Sequence, residues 1–431
     1  MPRKNNKPAP AAPAPTKSSR LRTLATSLPL ILTVALLLRA LFAWDYIRQN
    51  PRHALGVIPF LEEAGNIAAS LATGHGFSSP FRIDTGPTAW MTPIYPALLA
   101  GIFRLFGVRT FDSFVAAVAL NVVASVLVCV PIFYAGKKIV GTNVGAGAAW
   151  LWAIFPNAIL NTFQSMWEAS LAALLVALIL WATLKLDQPR GWPGWFGYGL
   201  LWGAALMTNA TLGGLLPLLL GWLAFRSWKP GRAWKERHEW FRRPLLSLGV
   251  AILCCLPWTL RNYEVLHAFV PLRSVFGLQF FVGNNEHAQE IWLGEQHPIH
   301  DSAERAEYIR LGELAYMRDK QRQAFEYVQE HPARVLHLTA SRFIATWSGG
   351  TPSPVADFLH TPSLWFRYVL LFNVLAALGA LAGIIILIRR RSPYCFPLAV
   401  FPVVYPCAYY VTLAYPRYRL PIDPVVLLLV A

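Results

Sequence analysis

Long runs of apolar residues recur along the chain and are separated by shorter polar segments. The runs cover residues 24–44, 113–135, 144–160, 168–184, 196–225, 244–260, 365–388, 396–413 and 420–431. Most approach the roughly 20 residues that a helix needs to cross about 30 Å of hydrocarbon. The pattern predicts an all-α integral membrane protein whose polar chemistry lies between the spans.

Two of these runs need separate interpretation. The run 196–225 carries Thr208, Asn209 and Thr211 at its centre, which predicts two short spans joined by a tight turn. The final run, 420–431, is short for a span. Either it crosses a thin membrane with little tilt, or the chain continues beyond it. With both counted, we expect about ten spans.

Charge distribution predicts the orientation in the membrane. The chain is 55% hydrophobic and 14% charged, and its formal net charge of +16 would by itself suit a nucleic-acid-binding protein. More than half of its 38 basic residues, however, fall in five clusters, located before residue 23 and at 137–138, 185–190, 226–243 and 389–391. The rest of the chain is nearly neutral. This is positive-inside asymmetry, which places the clusters and the N-terminus in the cytoplasm and gives no support for nucleic-acid binding.

This orientation requires that the run from Pro93 to Phe106, interrupted by Pro96, does not cross. We therefore expect it to be a juxtamembrane helix on the outer surface. The predicted units are then a flexible cytosolic tail (1–23), an N-terminal transmembrane module (24–260) that includes a first outer loop (45–112), a mostly helical outer segment (261–364), and C-terminal transmembrane helices (365–431).

A pair of carboxylates opens a predicted helix in the first outer loop. Glu62 and Glu63 precede an apolar pattern that ends at Gly74 and Gly76. Acidic residues in a first helical turn can simply stabilise the helix dipole. A carboxylate within reach of an acceptor hydroxyl can instead act as a general base. The residues alone leave both readings open, and they do not choose between Glu62 and Glu63.

Arginines at the predicted outer interface are candidates for binding phosphate. Arg261 and Arg273 follow the span 244–260, and Asn284 and Asn285 lie shortly after them. A further group, Tyr415, Arg417 and Arg419, precedes the final run and places positive charge outside, against the general bias. Such arginines can anchor a helix end in the headgroups. They also suit a guanidinium fork that grips a phosphate.

Other polar residues give weaker signals. Asp45, His75 and Glu168 are secondary candidates, and Glu168 could assist catalysis or hold a metal. His297 and His300 lie close together in a predicted loop, where metal binding is the less favoured reading. The stretch 302–330 is predicted to be one packed amphipathic helix with Ile309, Leu314 and Phe325 facing inward.

The order of these features resembles the C-type glycosyltransferase superfamily, which includes protein O-mannosyltransferases and the lipid A aminoarabinose transferase. The resemblance rests on the acidic pair, on IAASLATGHGF, TPIYPALLAGIFRLFG and the closing RYRLPIDP, and on the Trp167 and Glu168 entry to a span. The segments WTLRNYEVLHAFVPLR and VGNN are similar to a group of bacterial members. The likeness covers nearly all of the chain after the tail.

The resemblance implies transfer of a sugar from a polyprenyl-phosphate donor to a lipid, glycan or protein acceptor at the outer face of a bacterial inner membrane. By position it implies that Glu63 is the first choice for the base, with Glu62 beside it. Many members have Asp where this chain has Glu-Glu. Which residue is the base, and whether a divalent metal ion assists, therefore stay open.

The main alternative is a polytopic transporter or lipid flippase, which is also basic on the cytoplasmic side. A transporter predicts charged or broken helices at mid-membrane depth. Arg39 is the one strongly charged residue deep in a predicted span, and it lies near enough to the outer end to snorkel. The sequence therefore favours the transferase.

Overall fold

A computed structural model of the chain describes residues 23–50, 60–164, 166–187, 191–227, 239–291, 294 and 296–431. In these ranges the secondary structure is helical, and no β-strand occurs beyond an isolated bridge between Ser78 and Pro87. The predicted all-α membrane fold is confirmed. The helices of the first half are α1 (Leu28–Gln49), α2 (Glu63–Ala72), α3 (Ile94–Phe106), α4 (Phe111–Leu127), α5 (Cys129–Ile139), α6 (Thr142–Ile154), α7 (Pro156–Leu160), α8 (Ala169–Leu186), α9 (Trp192–Thr208) and α10 (Leu216–Ser227).

The second half begins with one long helix and continues with shorter ones. These helices are α11 (Glu239–Leu266), α12 (Phe276–Gly283), α13 (Ser302–Leu311), α14 (Glu313–Glu330), α15 (Pro332–Ser348), α16 (Pro354–His360), α17 (Leu364–Arg389), α18 (Cys395–Val404), α19 (Cys407–Val411), α20 (Pro416–Arg419) and α21 (Asp423–Val430). Two 3₁₀ segments, Ala210–Leu215 and Leu420–Ile422, precede α10 and α21.

Six helical stretches in the described ranges are long and apolar enough to cross a membrane. They are Leu28–Gln49, Phe111–Ile139, Ala169–Leu186, Ala210–Ser227, Phe241–Leu266 and Leu364–Arg389. The count of about ten spans stays a prediction. The predicted cytosolic tail, apart from residue 23, and the middle of the basic cluster 226–243 lie outside the described residues.

The predicted turn within the run 196–225 is confirmed. Helix α9 ends at Thr208, and Asn209 adopts an extended backbone with φ −146° and ψ 105°. The side-chain oxygen of Asn209 accepts a hydrogen bond from the backbone N–H of Thr211 at 3.0 Å. Asparagine is a favoured N-cap because its side chain satisfies a donor at the start of the next helix. One polar side chain therefore ends one helix and starts another.

The two apolar runs nearest the C-terminus differ from single spanning helices. The run 396–413 is divided near Pro406 into α18 and α19. The final run forms a 3₁₀ turn followed by α21, which packs against α17 and α6 with most of its side chains buried. Neighbouring helices therefore surround most of α21.

Helices α9 and α11 approach closely through two glycines spaced four residues apart. A Cβ added at Gly203 would lie 2.4 Å from the Cβ of Cys254, and one at Gly199 would lie 2.7 Å from the carbonyl oxygen of Ser247. Small residues at this spacing let transmembrane helices pack backbone to backbone. This contact holds α11 against the bundle.

Arg39 does not snorkel, contrary to the sequence-based expectation. Its side chain is fully buried, and its Nε donates to Ser125 Oγ at 2.9 Å. The other guanidinium nitrogens donate to the carbonyl oxygens of Ala35, Trp152 and Ala153 at 3.0–3.2 Å. Arg39 therefore joins α1 to α4 and to the C-terminal end of α6, where the last turn of a helix leaves carbonyls without partners.

The predicted single helix over 302–330 is also wrong. Gly312 has φ +77° and separates α13 from α14, so Glu313 becomes the first residue of a helix. Ile309 and Phe325 are about half exposed, whereas Tyr308 and Tyr316 are buried. The inward positions are therefore held by Tyr308 and Tyr316 and not by Ile309 and Phe325.

Two apolar cores result. One fills the helix bundle around Trp152, Trp202 and Leu427. The other joins the loop that follows α1 to helices α12–α14 and includes Phe60, Phe103, Leu278 and Tyr316. Because this second core packs residues of the two predicted outer segments together, polar groups that are distant in sequence meet at its edge.

The VGNN segment fastens α12 to the chain around residues 411–413. A Cβ at Gly283 would lie 1.6 Å from the carbonyl oxygen of Thr412, and Asn284 Nδ2 donates to the carbonyl oxygen of Val411 at 2.8 Å. Only glycine allows so close an approach. The segment is therefore explained by backbone packing.

We expect Gly283→Ala to destabilise the protein by about 2 kcal/mol or more, because overpacking against a backbone cannot be relieved by a rotamer change. The matched control is Gly221→Ala, where an added Cβ meets nothing within 4 Å. Thermal unfolding of both variants in detergent checks the prediction. Equal unfolding temperatures for the two variants would contradict it.

Candidate active site

Helix α2 presents two carboxylates without using either as a cap. Glu62 occupies the N-cap position in an extended conformation, but its side chain makes no capping hydrogen bond. The start of α2 is held by its neighbours. Asn66 Nδ2 donates to the carbonyl oxygens of Leu61 and Pro80 at 3.1 and 3.0 Å. The predicted helix is confirmed, and both carboxylates face a cleft.

The cleft holds about 810 Å³ of empty space, part of it open to solvent. It combines three carboxylates, two arginines, a histidine and several aromatic rings. The lining residues are Glu62, Glu63, Trp90, Met91, Thr92, Trp167, Glu168, Asn209, Arg273, Val275, Leu278, Gln279, Val282, His297, Tyr409, Leu413, Arg417 and Tyr418. Five candidates from the sequence thus meet in one place: Glu62, Glu63, Glu168, Arg273 and Arg417.

His297 contacts Glu63 directly. Its Nε2 lies 3.3 Å from Glu63 Oε1, and its Nδ1 accepts a hydrogen bond from the backbone N–H of Ile299 at 3.3 Å. A neutral imidazole that accepts at Nδ1 carries its proton on Nε2. Burial lowers the pKa of His297 to about 3, so the ring is neutral near pH 7. The Nε2 atom of a neutral histidine therefore lies against the Glu63 carboxyl group.

Glu63 has the electrostatics of a proton acceptor. Its side chain is only 5% exposed. Burial, and secondarily the charge of Glu62, raise its pKa to about 7, while Arg417 and Arg273 act in the opposite direction. A base whose pKa lies near the working pH combines a useful ionised fraction with a strong affinity for the proton. Glu63 therefore has the properties of a general base.

The two cleft arginines have no acidic partner among the residues that the structure describes. The Arg417 guanidinium lies 4.0 Å from the ring centre of Trp167 and 4.8 Å from that of Tyr415. Arg273 Nη2 donates to Gln279 Oε1 at 2.7 Å. Aromatic faces and an amide hold the guanidinium groups in place without neutralising them. Both arginines keep donors and full charge for an anionic ligand.

Two further polar atoms of the cleft lack a hydrogen-bond partner among the described residues. Trp167 Nε1 and Glu168 Oε2 are both buried and unpaired. Buried polar atoms are nearly always satisfied, so an exception calls for an explanation. A polar ligand in the cleft would supply the missing partners.

Arg261 lies outside the cleft and has a structural role. Its Nη1 and Nη2 donate to the carbonyl oxygens of Thr88 and Phe77, each at 2.6 Å. From the other side, Glu313 accepts hydrogen bonds from the Thr88 hydroxyl and from the Ala89 N–H, the latter at 2.9 Å. These contacts fix the segment that carries Trp90, whose ring centre lies 5.4 Å from that of His297. Arg261 thus positions a wall of the cleft and is not available to a ligand there.

Arg419 is likewise committed to the fold. Its Nε donates to Asp423 Oδ1 at 2.7 Å, Nη1 donates to the carbonyl oxygens of Thr346 and Trp347, and Nη2 donates to Asn373. The side chain is 2% exposed. Arg419, a phosphate-binding candidate from the sequence, is therefore not available to a ligand, because every guanidinium nitrogen has a protein partner.

The remaining candidates also lie away from the cleft. Asn284 and Asn285 are buried and donate to backbone carbonyls. Asp45 pairs with Arg48 at 3.1 Å on an exposed face of α1. His75 is exposed and contacts Thr73 Oγ1. Their short-range partners account for all four without a ligand.

The donor set of the cleft does not fit a metal ion. Across the described ranges, no group of three or more His, Cys, Asp or Glu side chains is placed to hold one. Glu62, Glu63 and Glu168 share the cleft but form no such cluster. No chemical step is assigned to a metal here.

Sequence reasoning missed the contact of His297 with Glu63 and the tyrosine wall of the cleft. The rings of Tyr409 and Tyr418 stack with centres 4.7 Å apart. Glu63 and His297 are far apart in the chain, and no periodicity relates them, so only the tertiary fold identifies their contact. The doublet with His300 drew attention to His297, with metal binding as the less favoured interpretation.

Comparison with known proteins agrees with this architecture. Residues 90–260 match the family described as dolichyl-phosphate-mannose-protein mannosyltransferase. Among curated proteins, none is significantly similar in sequence. The archaeal oligosaccharyltransferase AglB from Archaeoglobus fulgidus, solved in complex with an inhibitory peptide and a dolichol-phosphate, superposes with a TM-score of 0.57 at 14% identity, covering 96% of this chain and 50% of that one. A second structure of the Archaeoglobus fulgidus oligosaccharyltransferase, in complex with Zn and sulfate, gives a TM-score of 0.53 at 14% identity, with coverage of 93% and 48%.

The chain spans about half the length of these solved structures. At this level of identity the likeness to the solved structures establishes the fold alone. The family match covers residues 90–260 of this chain. The apolar helices identify the chain as a multi-pass membrane protein, and the family match over residues 90–260 and the shared fold support its resemblance to the C-type glycosyltransferase superfamily.

Proposed function

We propose that this protein transfers a sugar from a polyprenyl-phosphate-linked donor to a lipid, glycan or protein acceptor, with Glu63 as the general base. The observation that carries the proposal is the meeting of Glu63, whose pKa is raised to about 7, with the unneutralised Arg273 and Arg417 in one cleft. A base and a phosphate site side by side suit a displacement at a carbon bonded to phosphate.

The proposed reaction step uses only the acceptor, the donor and residues of the cleft. Glu63 removes the proton from an acceptor hydroxyl as its oxygen attacks the anomeric carbon. The bond between that carbon and the phosphate oxygen breaks, and the electron pair leaves with the polyprenyl phosphate. Arg273 and Arg417 stabilise the charge that develops on the phosphate. A single displacement of this kind inverts the configuration at the anomeric carbon, as in inverting glycosidases that use a carboxylate base.

The charges at helix ends support one direction of the cleft relative to the membrane. Lys138 at the end of α5 donates to the Leu184 carbonyl near the end of α8, and Arg226 at the end of α10 pairs with Asp187 at 2.7 Å. Glu168 precedes α8 at its other end, beside the cleft. The 18 residues of α8 separate the two ends by about 27 Å. The positive-inside rule then supports a periplasmic cleft and a cytoplasmic N-terminus in an inner membrane.

The test is transfer of radiolabelled sugar by the purified protein in lipid nanodiscs. A panel of polyprenyl-phosphate sugars is offered with a membrane extract as acceptor. We expect turnover with at least one donor, with inversion at the anomeric carbon. Failure with every donor, accompanied by movement of a lipid-linked sugar across proteoliposome membranes, would favour the alternative of a lipid flippase.

We expect His297 to hold Glu63 in position and to lower its pKa. This role can be tested by the pH dependence of the rate, separately from its size. A hydrogen bond donated to a carboxylate stabilises its charged form and lowers its pKa. His297→Phe should therefore raise the pKa of Glu63 and shift the acidic limb of the pH–rate profile to higher pH, whereas His297→Gln keeps a donor and should shift it less. Superimposable pH–rate profiles for the wild type and His297→Phe would contradict this role.

A further inference from the structure

Another buried arginine lies on α15, away from the cleft lining. Arg342 is 1% exposed. Its Nη2 donates to the carbonyl oxygen of Gly283, while its Nη1 is buried without a hydrogen-bond partner. In the described part of the chain no carboxylate lies within ion-pair distance of it. Burying a charge without a counter-charge is costly, so the arrangement points to an anionic partner.

Arg342 lines a cavity that adjoins the candidate active site. The cavity holds about 360 Å³ of empty space, part of it open to solvent, and Gln289, Gln296 and His287 contribute polar side chains to its wall. Val282 and Leu413 line both this cavity and the cleft. A ligand in the cavity would therefore lie next to a ligand in the cleft, with two apolar side chains between them.

The electrostatics of the cavity are positive. Arg334 Nη2 donates to the carbonyl oxygen of Ala288 in the wall at 3.3 Å. Burial, and then the charge of Arg334, lower the pKa of Arg342 to about 10, which leaves it charged near neutral pH. Among the described lining residues Glu290 is the one carboxylate, and its Oε1 lies 3.5 Å from His337 Nε2. At and beside the described wall of the cavity, two positively charged guanidinium groups thus face one carboxylate, which lies next to a histidine.

We propose that this cavity is a second anion site that binds a phosphate group. A phosphate matches the features together: its oxygens accept from the free Nη1 of Arg342 and from amide N–H donors, and its charge balances both arginines. The phosphate can belong to a lipid headgroup or to a water-soluble molecule. The site is separate from Arg273 and Arg417, and the proposal does not depend on sugar transfer.

The experiment measures phosphate binding by calorimetry in a maltoside detergent, which contains no phosphate. Arg417→Gln serves as the background because it weakens the cleft as a competing site. Inorganic phosphate and farnesyl phosphate are the two ligands. Arg342→Gln removes the buried charge, and His287→Glu adds a negative charge at an exposed position of the wall where folding is not at risk. Arg322→Gln, on the exposed face of α14, is the matched control.

We expect Arg342→Gln and His287→Glu each to weaken binding about tenfold or more, the cost of losing or opposing one charge-assisted hydrogen bond, while Arg322→Gln has no effect. Binding of farnesyl phosphate alone would support a lipid headgroup as the source, and equally tight binding of inorganic phosphate would support a soluble one. Unchanged affinity in His287→Glu, or no binding of either ligand to the background protein, would overturn the proposal. Sugar transfer is not part of this readout, so the result is independent of the proposed reaction.

Discussion

Glu63→Gln is expected to lower the kcat for sugar transfer by about 10²- to 10⁴-fold, the usual contribution of a positioned general base. The amide keeps the size of the side chain and its place beside His297, so donor binding should survive. In the wild type, the rate should rise with pH through about 7, because burial raises the pKa of Glu63 to about 7 and only the ionised carboxylate accepts a proton. Radiolabel transfer between pH 5.5 and 8.5 measures both effects.

Glu62→Gln is the matched control for this prediction. The negative charge of Glu62 raises the pKa of Glu63, so its removal should shift the acidic limb of the profile to lower pH and leave much of the rate intact at pH 8. If Glu62→Gln abolished transfer and Glu63→Gln did not, the base would be Glu62. Full activity in both variants would exclude a first-loop glutamate as the base.

The sequence predicted those parts of the fold that local rules determine. The carboxylate-led helix at Glu63 and the turn at Asn209 both follow from signals within a few residues, namely apolar periodicity and a capping side chain. Gly312 carried such a signal too, and it divides a stretch that the pattern alone presented as one amphipathic helix. Local patterns thus set where helices occur more reliably than where they break.

The candidate site was predicted only in part, and the arginines show why. Arg261, Arg417 and Arg419 all lie next to predicted spans, near aromatic residues and prolines, so their sequence contexts look alike. Their partners differ: backbone carbonyls after α2 for Arg261, the nearby Asp423 and the distant Asn373 for Arg419, and the ring of Trp167 for Arg417. Whether an arginine is available to a ligand depends on which acceptors the fold places around it.

The carboxylates behave in the same way. Glu63 and Glu313 are both acidic residues at the start of a helix, yet Glu313 accepts four hydrogen bonds from Thr88, Ala89, Ser274 and Tyr308, while Glu63 faces the cleft beside His297. A saturated carboxylate stabilises a loop, and one that keeps open acceptor capacity can take a proton. The distinction lies in tertiary contacts that no local pattern encodes.

Arg417 gives the second large effect that we expect. Its guanidinium lies against the faces of Trp167 and Tyr415 without an acidic partner in the described part of the chain, so its charge is held in place for a ligand. Arg417→Gln should lower kcat/KM for the lipid-linked donor by about 10²- to 10³-fold, the cost of removing one preorganised donor that stabilises developing charge. Arg417→Lys should recover part of this loss, since it restores the charge but not the bidentate fork.

Inhibition by the released lipid separates a phosphate-binding role from a structural one. If Arg417 binds the leaving phosphate, polyprenyl phosphate should inhibit the wild type and should inhibit Arg417→Gln at least tenfold more weakly, while the unfolding temperature changes little. If Arg417 only packs between Trp167 and Tyr418, the variant should unfold at a lower temperature and retain the wild-type inhibition constant. Because donor and product share the phosphate, weakening of both would assign Arg417 to that group and not to the sugar or the acceptor.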